Sequence, residues 1–200
     1  LGSGARCESA MRPPLGKGAV LGGGEGVDRD LDPVILVAEG DSIEFEGAPI
    51  TTWHTPGHFC NHLCFSWRNI LFSGDHIMGW ATSLISPPDG DLGDYMRALD
   101  HVDRPWDIAL PGHGAPVRDV QARIKQLRAH RIERQSQVRS ALQDHPKTAA
   151  QITREIYTDV DPSLWPIAER NTLANLIDLT QKNQASFESP LTTNSGFYKK

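Results

Sequence analysis

Between Val34 and Asp75 apolar and polar positions alternate over short runs. Val34 to Ala38 opens the series, and in Asp41 to Glu46 the apolar Ile43 and Phe45 alternate with Ser42 and Glu44. A period of two predicts half-buried strands. Gly47-Ala48 predicts a hairpin turn into a strand over Pro49 to His54. His62 to Trp67 and Ile70 to Phe72, joined at Arg68-Asn69, extend the meander. The period then lengthens. Asp91 to His101 reads as a helix with Tyr95, Leu99 and Val102 on one face, Trp106 to Leu110 as an apolar strand, and Val117 to Leu142 as one long helix with Val120, Ile124, Leu127, Val138 and Leu142 inward. Strand, helix, strand is the pattern of a mixed α/β layer.

Pro146 starts a second unit. Thr148 and Gln151 predict a capping box ahead of a helix carrying Ile152 and Ile156. Pro166 suits the first turn of another helix, with Ala168, Thr172, Leu176 and Leu179 on one side, and Gln184 to Phe187 reads as part of a hairpin. The organisation expected is therefore a glycine-rich surface segment over 1–33, a main domain over 34–143, a small helical domain over 144–188 and a disordered tail over 189–200, where no core-forming pattern is visible.

Composition narrows the classes. Two hundred residues with 38% apolar content suffice for one domain and an appendage. A net charge of −5, from 20 basic and 25 acidic residues, argues against nonspecific attraction to nucleic acid or to an anionic membrane. With no apolar run of transmembrane length and no signal-peptide pattern, a soluble cytoplasmic protein with no membrane partner is expected. Leu1 in place of an initiating methionine predicts a fragment of a longer protein. The run Leu15-Gly16-Lys17-Gly18 has neither a strand before it nor Ser or Thr after the lysine, so it is not a phosphate loop. Three cysteines, an odd number, speak against a disulfide framework and suit a reducing compartment. Cys60 and Cys64 with His54, His58 and His62 do not make a zinc knot, because Cys64 falls inside the apolar run of a strand. The long helix carries Arg118, Arg123, Lys125, Arg128, Arg131, Arg134 and Arg139 against Asp119 and Glu133. These read as a solvated face, or alternatively as a ridge that tracks phosphates.

Chemistry concentrates at three turns. In Thr55-Pro56-Gly57-His58, Pro56 fixes φ and Gly57 permits a sharp reversal, so His58 projects from a rigid turn. Asp75 ends the strand Phe72-Ser73-Gly74, and His113 stands in Pro111-Gly112-His113-Gly114. Two imidazoles and a carboxylate at three strand ends are what a hydrolytic metal site open to substrate requires. His76 faces opposite to Asp75 along the strand and is expected to pack; His54, His62, His101, His130 and His145 read as ordinary. His76 to Trp80 and Pro87-Pro88 read as a loop over the mouth.

These three motifs, in this order and at these separations, resemble the later ligand motifs of the metallo-β-lactamase superfamily, most of all the group around β-lactamase-like protein 2, over roughly Ala38 to Phe187. The resemblance implies an α/β (α+β) fold: part of an αββα sandwich, followed by a small winged-helix-like domain. It implies two metals, usually zinc with manganese or iron as alternatives, bridged by Asp75 as the catalytic residue, with His58 completing one ligand set and His113 the other. Metal-bound hydroxide would then attack the substrate. The substrate class it implies is single-stranded RNA, cut by an endoribonuclease, or alternatively a small-molecule thioester or ester. The family's earlier HxHxDH motif does not occur in this sequence. Each metal then keeps two protein ligands where catalytic zinc has three, so weak metal binding by this chain alone is expected, and a truncated, catalytically inactive chain is a third reading.

Overall fold

The computed structural model describes Gly2, Ser3 and residues 34–200; the glycine-rich stretch read as a surface segment lies, from residue 4 to 33, outside them. A short parallel pair joins β1 (Gly2–Ser3) to β2 (Leu36–Val37). The main sheet has five strands in sequence order: β3 (Ser42–Phe45), β4 (Ala48–His54), β5 (Leu63–Trp67), β6 (Ile70–Gly74) and β7 (Ile108–Pro111). The first four are antiparallel neighbours. Between β6 and β7 the pairing is parallel, because α1 (Leu92–His101) carries the chain back across one face. The β3–β4 turn falls on Glu46-Gly47, one residue earlier than expected, with φ of 49° and 73°. Positive φ at both central residues is the geometry that matches strand twist in two-residue hairpins.

One sheet face packs on helices. Cys64, Leu71 and Ala109 are completely buried there against Tyr95, Leu99 and Val102 and against Ile124 and Leu127 of α2 (Val120–Ala141). The same long helix reaches a second core. Its Val138, with Leu142 just beyond it, packs with α3 (Ala149–Ile156), α4 (Trp165–Gln181), β8 (Ala185–Phe187) and β9 (Phe197–Lys199). The capping box at Thr148 and Gln151 is formed as expected.

Three expectations are corrected. The tail is not without structure: β9 pairs antiparallel with β8, and Phe197 and Leu191 are buried. One aromatic and one aliphatic, set among small polar residues, are too few to show a period yet enough to close a small core. The arginine row of α2 is neither a solvated face nor a free ridge. Arg131 is 3% exposed, Arg123 donates to the carbonyls of Met78 and Ala81 at 2.7 Å each, Arg128 pairs with Asp100, and Arg134 donates to Ile156 O at 3.1 Å while stacking over Tyr157. Only Arg118, Lys125 and Arg139 of the seven stand exposed. A guanidinium on a stem of three methylenes reaches buried carbonyls from a helix position that polarity alone assigns to water. Among the cysteines, Cys64 is a buried free thiol, but Cys60 is disulfide-bonded; an odd count rules out a fully paired set, not one bridge. His62, read as ordinary, stands half-buried beside the candidate site, as shown below. No helix among the described residues is long and apolar enough to cross a membrane.

Candidate metal centre

The turn after β4 is held against α1. A Cβ on Gly57, whose φ is +130°, would lie 2.3–2.4 Å from backbone and Cβ atoms of Tyr95, so only glycine lets the turn approach so closely. The Gly57 carbonyl accepts from Asp91 N at 3.0 Å, which ties the turn to the start of α1. His58 leaves this turn with Nδ1 2.6 Å from the carbonyl oxygen of Leu84. A carbonyl only accepts, so Nδ1 carries the proton and Nε2 presents its lone pair.

Asp75 follows β6 at Gly74, where φ is +50°. The turn after β7 comes alongside through Gly112 N, which donates to Gly74 O at 2.9 Å. A Cβ on Gly112 would stand 2.8 Å from Asp75 Oδ1. Parallel pairing of β6 and β7 therefore delivers Asp75 and His113 to the same sheet end. Asp75 Oδ2 lies 3.7 Å from His58 Nε2 and 3.7 Å from His113 Nε2. The three predicted residues are brought together, with His58 and Asp75 largely sheltered and His113 71% exposed at the mouth. Asp75 Oδ1 is buried without a hydrogen-bond partner, a costly state for a carboxylate oxygen unless a cation faces it.

These distances bear on whether a cation fits. At 3.7 Å neither imidazole is hydrogen-bonded to the carboxylate. With metal–ligand bonds of about 2.0–2.2 Å, two donors on one tetrahedral ion stand about 3.4 Å apart. Each His–Asp75 pair is thus spaced as an edge of such a polyhedron, slightly opened. Among the described residues no group of three or more His, Cys, Asp or Glu is arranged to hold one ion. The arrangement is two His–carboxylate pairs that share Asp75 Oδ2.

Two further histidines lie beneath. His62 places a ring nitrogen 2.8 Å from Thr55 Oγ1, and burial, with His58 and His54 nearby, lowers its pKa to about 4. His76 is completely buried, its ring edge-on to Tyr95 at 4.9 Å, and burial first, then His62, lowers its pKa to about 3. His76 packs between the site and α1, as expected, and His62 lies between it and Thr55. His62 also abuts Gly74, where a Cβ would meet His62 Nε2 at 2.7 Å, a contact that only the pairing of β5 with β6 reveals. Elsewhere, His54 lies 3.1 Å from Cys60 O and His101 pairs with Glu39 at 2.8 Å.

Comparison with known proteins gives a consistent picture. The family model described as "Metallo-beta-lactamase superfamily" matches residues 4–135, and that of the "Beta-lactamase associated winged helix domain" matches residues 148–190. The chain is 33% identical over 111 residues to an atrochrysone carboxyl ACP thioesterase of Aspergillus chevalieri, covering 54% of this chain and 35% of that protein. It is 31% identical over 144 residues to a beta-lactamase-like protein 2 homolog of Caenorhabditis elegans, covering 70% of this chain and 46% of that one. It thus spans between about a third and about half of the length of these relatives. Among solved structures, a metallo-beta-lactamase family protein from Thermus thermophilus superposes with a TM-score of 0.72 at 24% identity, covering 85% of this chain and 55% of that one. A likeness at that identity speaks for the fold.

Proposed function

This chain belongs to the metallo-beta-lactamase superfamily, and on that footing we propose that its three-turn cluster is part of a metal-dependent site that hydrolyses the ester or thioester bond of a small acyl substrate. The observation that carries the reading is the position of Asp75 Oδ2, 3.7 Å from both imidazole Nε2 atoms, with the second carboxylate oxygen buried and unpartnered. His58, Asp75 and His113 would hold divalent cations there, zinc in the first place and manganese or iron as alternatives. A cation held there supplies Lewis acidity toward a carbonyl oxygen and a water acidified to a pKa of about 7.

The chain's own residues do the positioning. The Leu84 carbonyl keeps the His58 ring in the orientation that aims Nε2 at Asp75. At the mouth, exposed His113 is flanked by Trp80, whose indole donates to His113 O at 3.3 Å and whose ring is 69% exposed. That apolar surface suits an acyl chain approaching the site. The thioesterase name of one relative supports the same substrate class.

A second reading, cleavage of single-stranded RNA, draws support from the winged-helix match, since helix-turn-helix units present a helix to nucleic acid. The arginine row that first suggested it is largely spent on internal carbonyls and a carboxylate, which leaves two exposed cations on α2, Lys125 and Arg139, and Arg118 just ahead of it. Calorimetric titration of the metal-free chain with zinc tests the common premise. Saturable binding is expected, weakened at least about tenfold in Asp75→Asn. Release of thiol from acyl thioesters is then compared with cleavage of labelled RNA; Lys125→Glu with Arg139→Glu should lower only the latter. Neither metal binding nor turnover would leave the inactive-chain reading standing.

A further inference from the structure

Residues 83–85 touch two of the three ligand-bearing turns, those of His58 and Asp75, and are themselves held from behind. Leu84 O accepts from His58 Nδ1. One residue earlier, the Ser83 hydroxyl lies against the Asp75 carbonyl and 3.1 Å from that of His76. On the far side, Arg131 of α2 donates to the Ser83 carbonyl and, at 3.1 Å, to Asn171 Oδ1 of α4. The same Asn171 oxygen accepts from Ile85 N at 3.1 Å. The residues on either side of Leu84 are thus each pinned by a helix, Ser83 through its C=O and Ile85 through its N–H. A carbonyl between two pinned neighbours has little freedom to turn. Arg170 extends the grip, donating to Ser86 Oγ at 2.8 Å and Pro87 O at 2.9 Å.

A guanidinium that is 3% exposed and spends itself on a carbonyl and an amide oxygen is expensive to bury. Its location identifies what that cost maintains. We propose that Asn171, backed by Arg131, is a positioning residue for His58: acting through the Leu84 carbonyl, it holds the imidazole as the Nδ1–H tautomer with the Nε2 lone pair toward Asp75. The inference rests on the metal-site reading above. It makes α4, which lies within the stretch matched as a winged helix, a wall of the site as well as part of the second core.

The test uses the full chain, metal-free, at about pH 8, where an unperturbed imidazole is neutral. Long-range nitrogen–proton correlation spectra report the tautomer of His58, with His113 as the internal control, and a zinc titration follows on the same samples. The wild-type chain is expected to show His58 with the proton on Nδ1. Asn171→Leu, which removes the acceptor at similar volume, should give a mixture of tautomers at His58, leave His113 unchanged and weaken zinc binding about 10- to 100-fold, the usual effect of losing an outer-shell partner. Asn171→Asp, which keeps the acceptor oxygen, should restore the wild-type tautomer and affinity. If Asn171→Leu does not fold, Arg131→Met carries the same expectation by freeing the Ser83 carbonyl. An unchanged His58 tautomer in a folded variant, an Nε2–H tautomer in the wild type, or equal changes at His58 and His113 would overturn the proposal. A wild-type chain that binds no zinc would count against the metal reading while leaving the tautomer result to be judged by itself.

Discussion

Gly57 shows how much of this site depends on a missing side chain. The clash that an alanine would make there involves the backbone of Tyr95 inside α1, at 2.3–2.4 Å, and helix backbone cannot step aside. Gly114 offers a control: its φ is +90°, and the nearest atom to its virtual Cβ, at 2.4 Å, belongs to the Trp80 ring, which is exposed and can swing away. Gly57→Ala is therefore expected to cost about 3 kcal/mol and Gly114→Ala about 1 kcal/mol, read as shifts in the urea midpoint at unchanged slope. Because the Gly57 turn carries His58, the first substitution should also weaken zinc binding more than the second. Equal costs would mean that the turn is not seated on α1.

Among the elements, β9 does the least expected work. It is three residues long, yet Phe197 sits at the centre of the second core, facing Phe187 across the strand pair and bridging to Lys147 ahead of α3 through two backbone hydrogen bonds. Emptying that position should cost about 3–5 kcal/mol in Phe197→Ala, whereas Tyr198→Ala, one residue on and only half-buried, should cost a fraction of that. Chemical denaturation separates the two, and comparable losses would argue against a packed β9. The contrast also shows what a linear reading can reach. Strands β3 to β6, the capping box and the three chemistry-bearing turns are legible because each depends on near neighbours: period-two alternation, a four-residue cap, proline and glycine fixing a reversal. Arg131 and Asn171 are not, since their partners Ser83 and Ile85 are 48 and 86 residues away and nothing in a helical charge pattern marks a cation that faces inward. The contact of His62 with Gly74 is hidden for the same reason, since it follows from the pairing of β5 with β6. Phe197 escaped because a strand of three residues is too short to show any period.

For the molecule as a whole, the two neutral histidines beneath the site set its response to mild acid. An unfolded imidazole titrates near 6.5, whereas burial lowers His62 to about 4 and His76 to about 3 in the folded chain. Between these values the unfolded state binds protons that the folded state refuses, so the stabilisation is complete above about pH 6.5 and is lost as pH falls toward the folded values. From pH 8 to pH 5 each histidine should contribute a loss of about 2 kcal/mol, on a scale where one pH unit is worth about 1.36 kcal/mol per proton. His130, only partly buried and also lowered by desolvation first, adds in the same direction. Asp91 at the start of α1, shifted upward by desolvation, acts in the opposite sense, because the folded state then holds its proton more firmly than the unfolded one. Unfolding free energies of the metal-free chain, measured in urea at half-unit steps from pH 8 to pH 5, should therefore fall with a slope approaching two protons. His76→Phe, which fills a similar volume without a titrating nitrogen, should remove about one of them. A flat profile, or a slope that His76→Phe leaves intact, would show that these rings are solvated in the folded chain and that the packing between the site and α1 is looser than the structure has it.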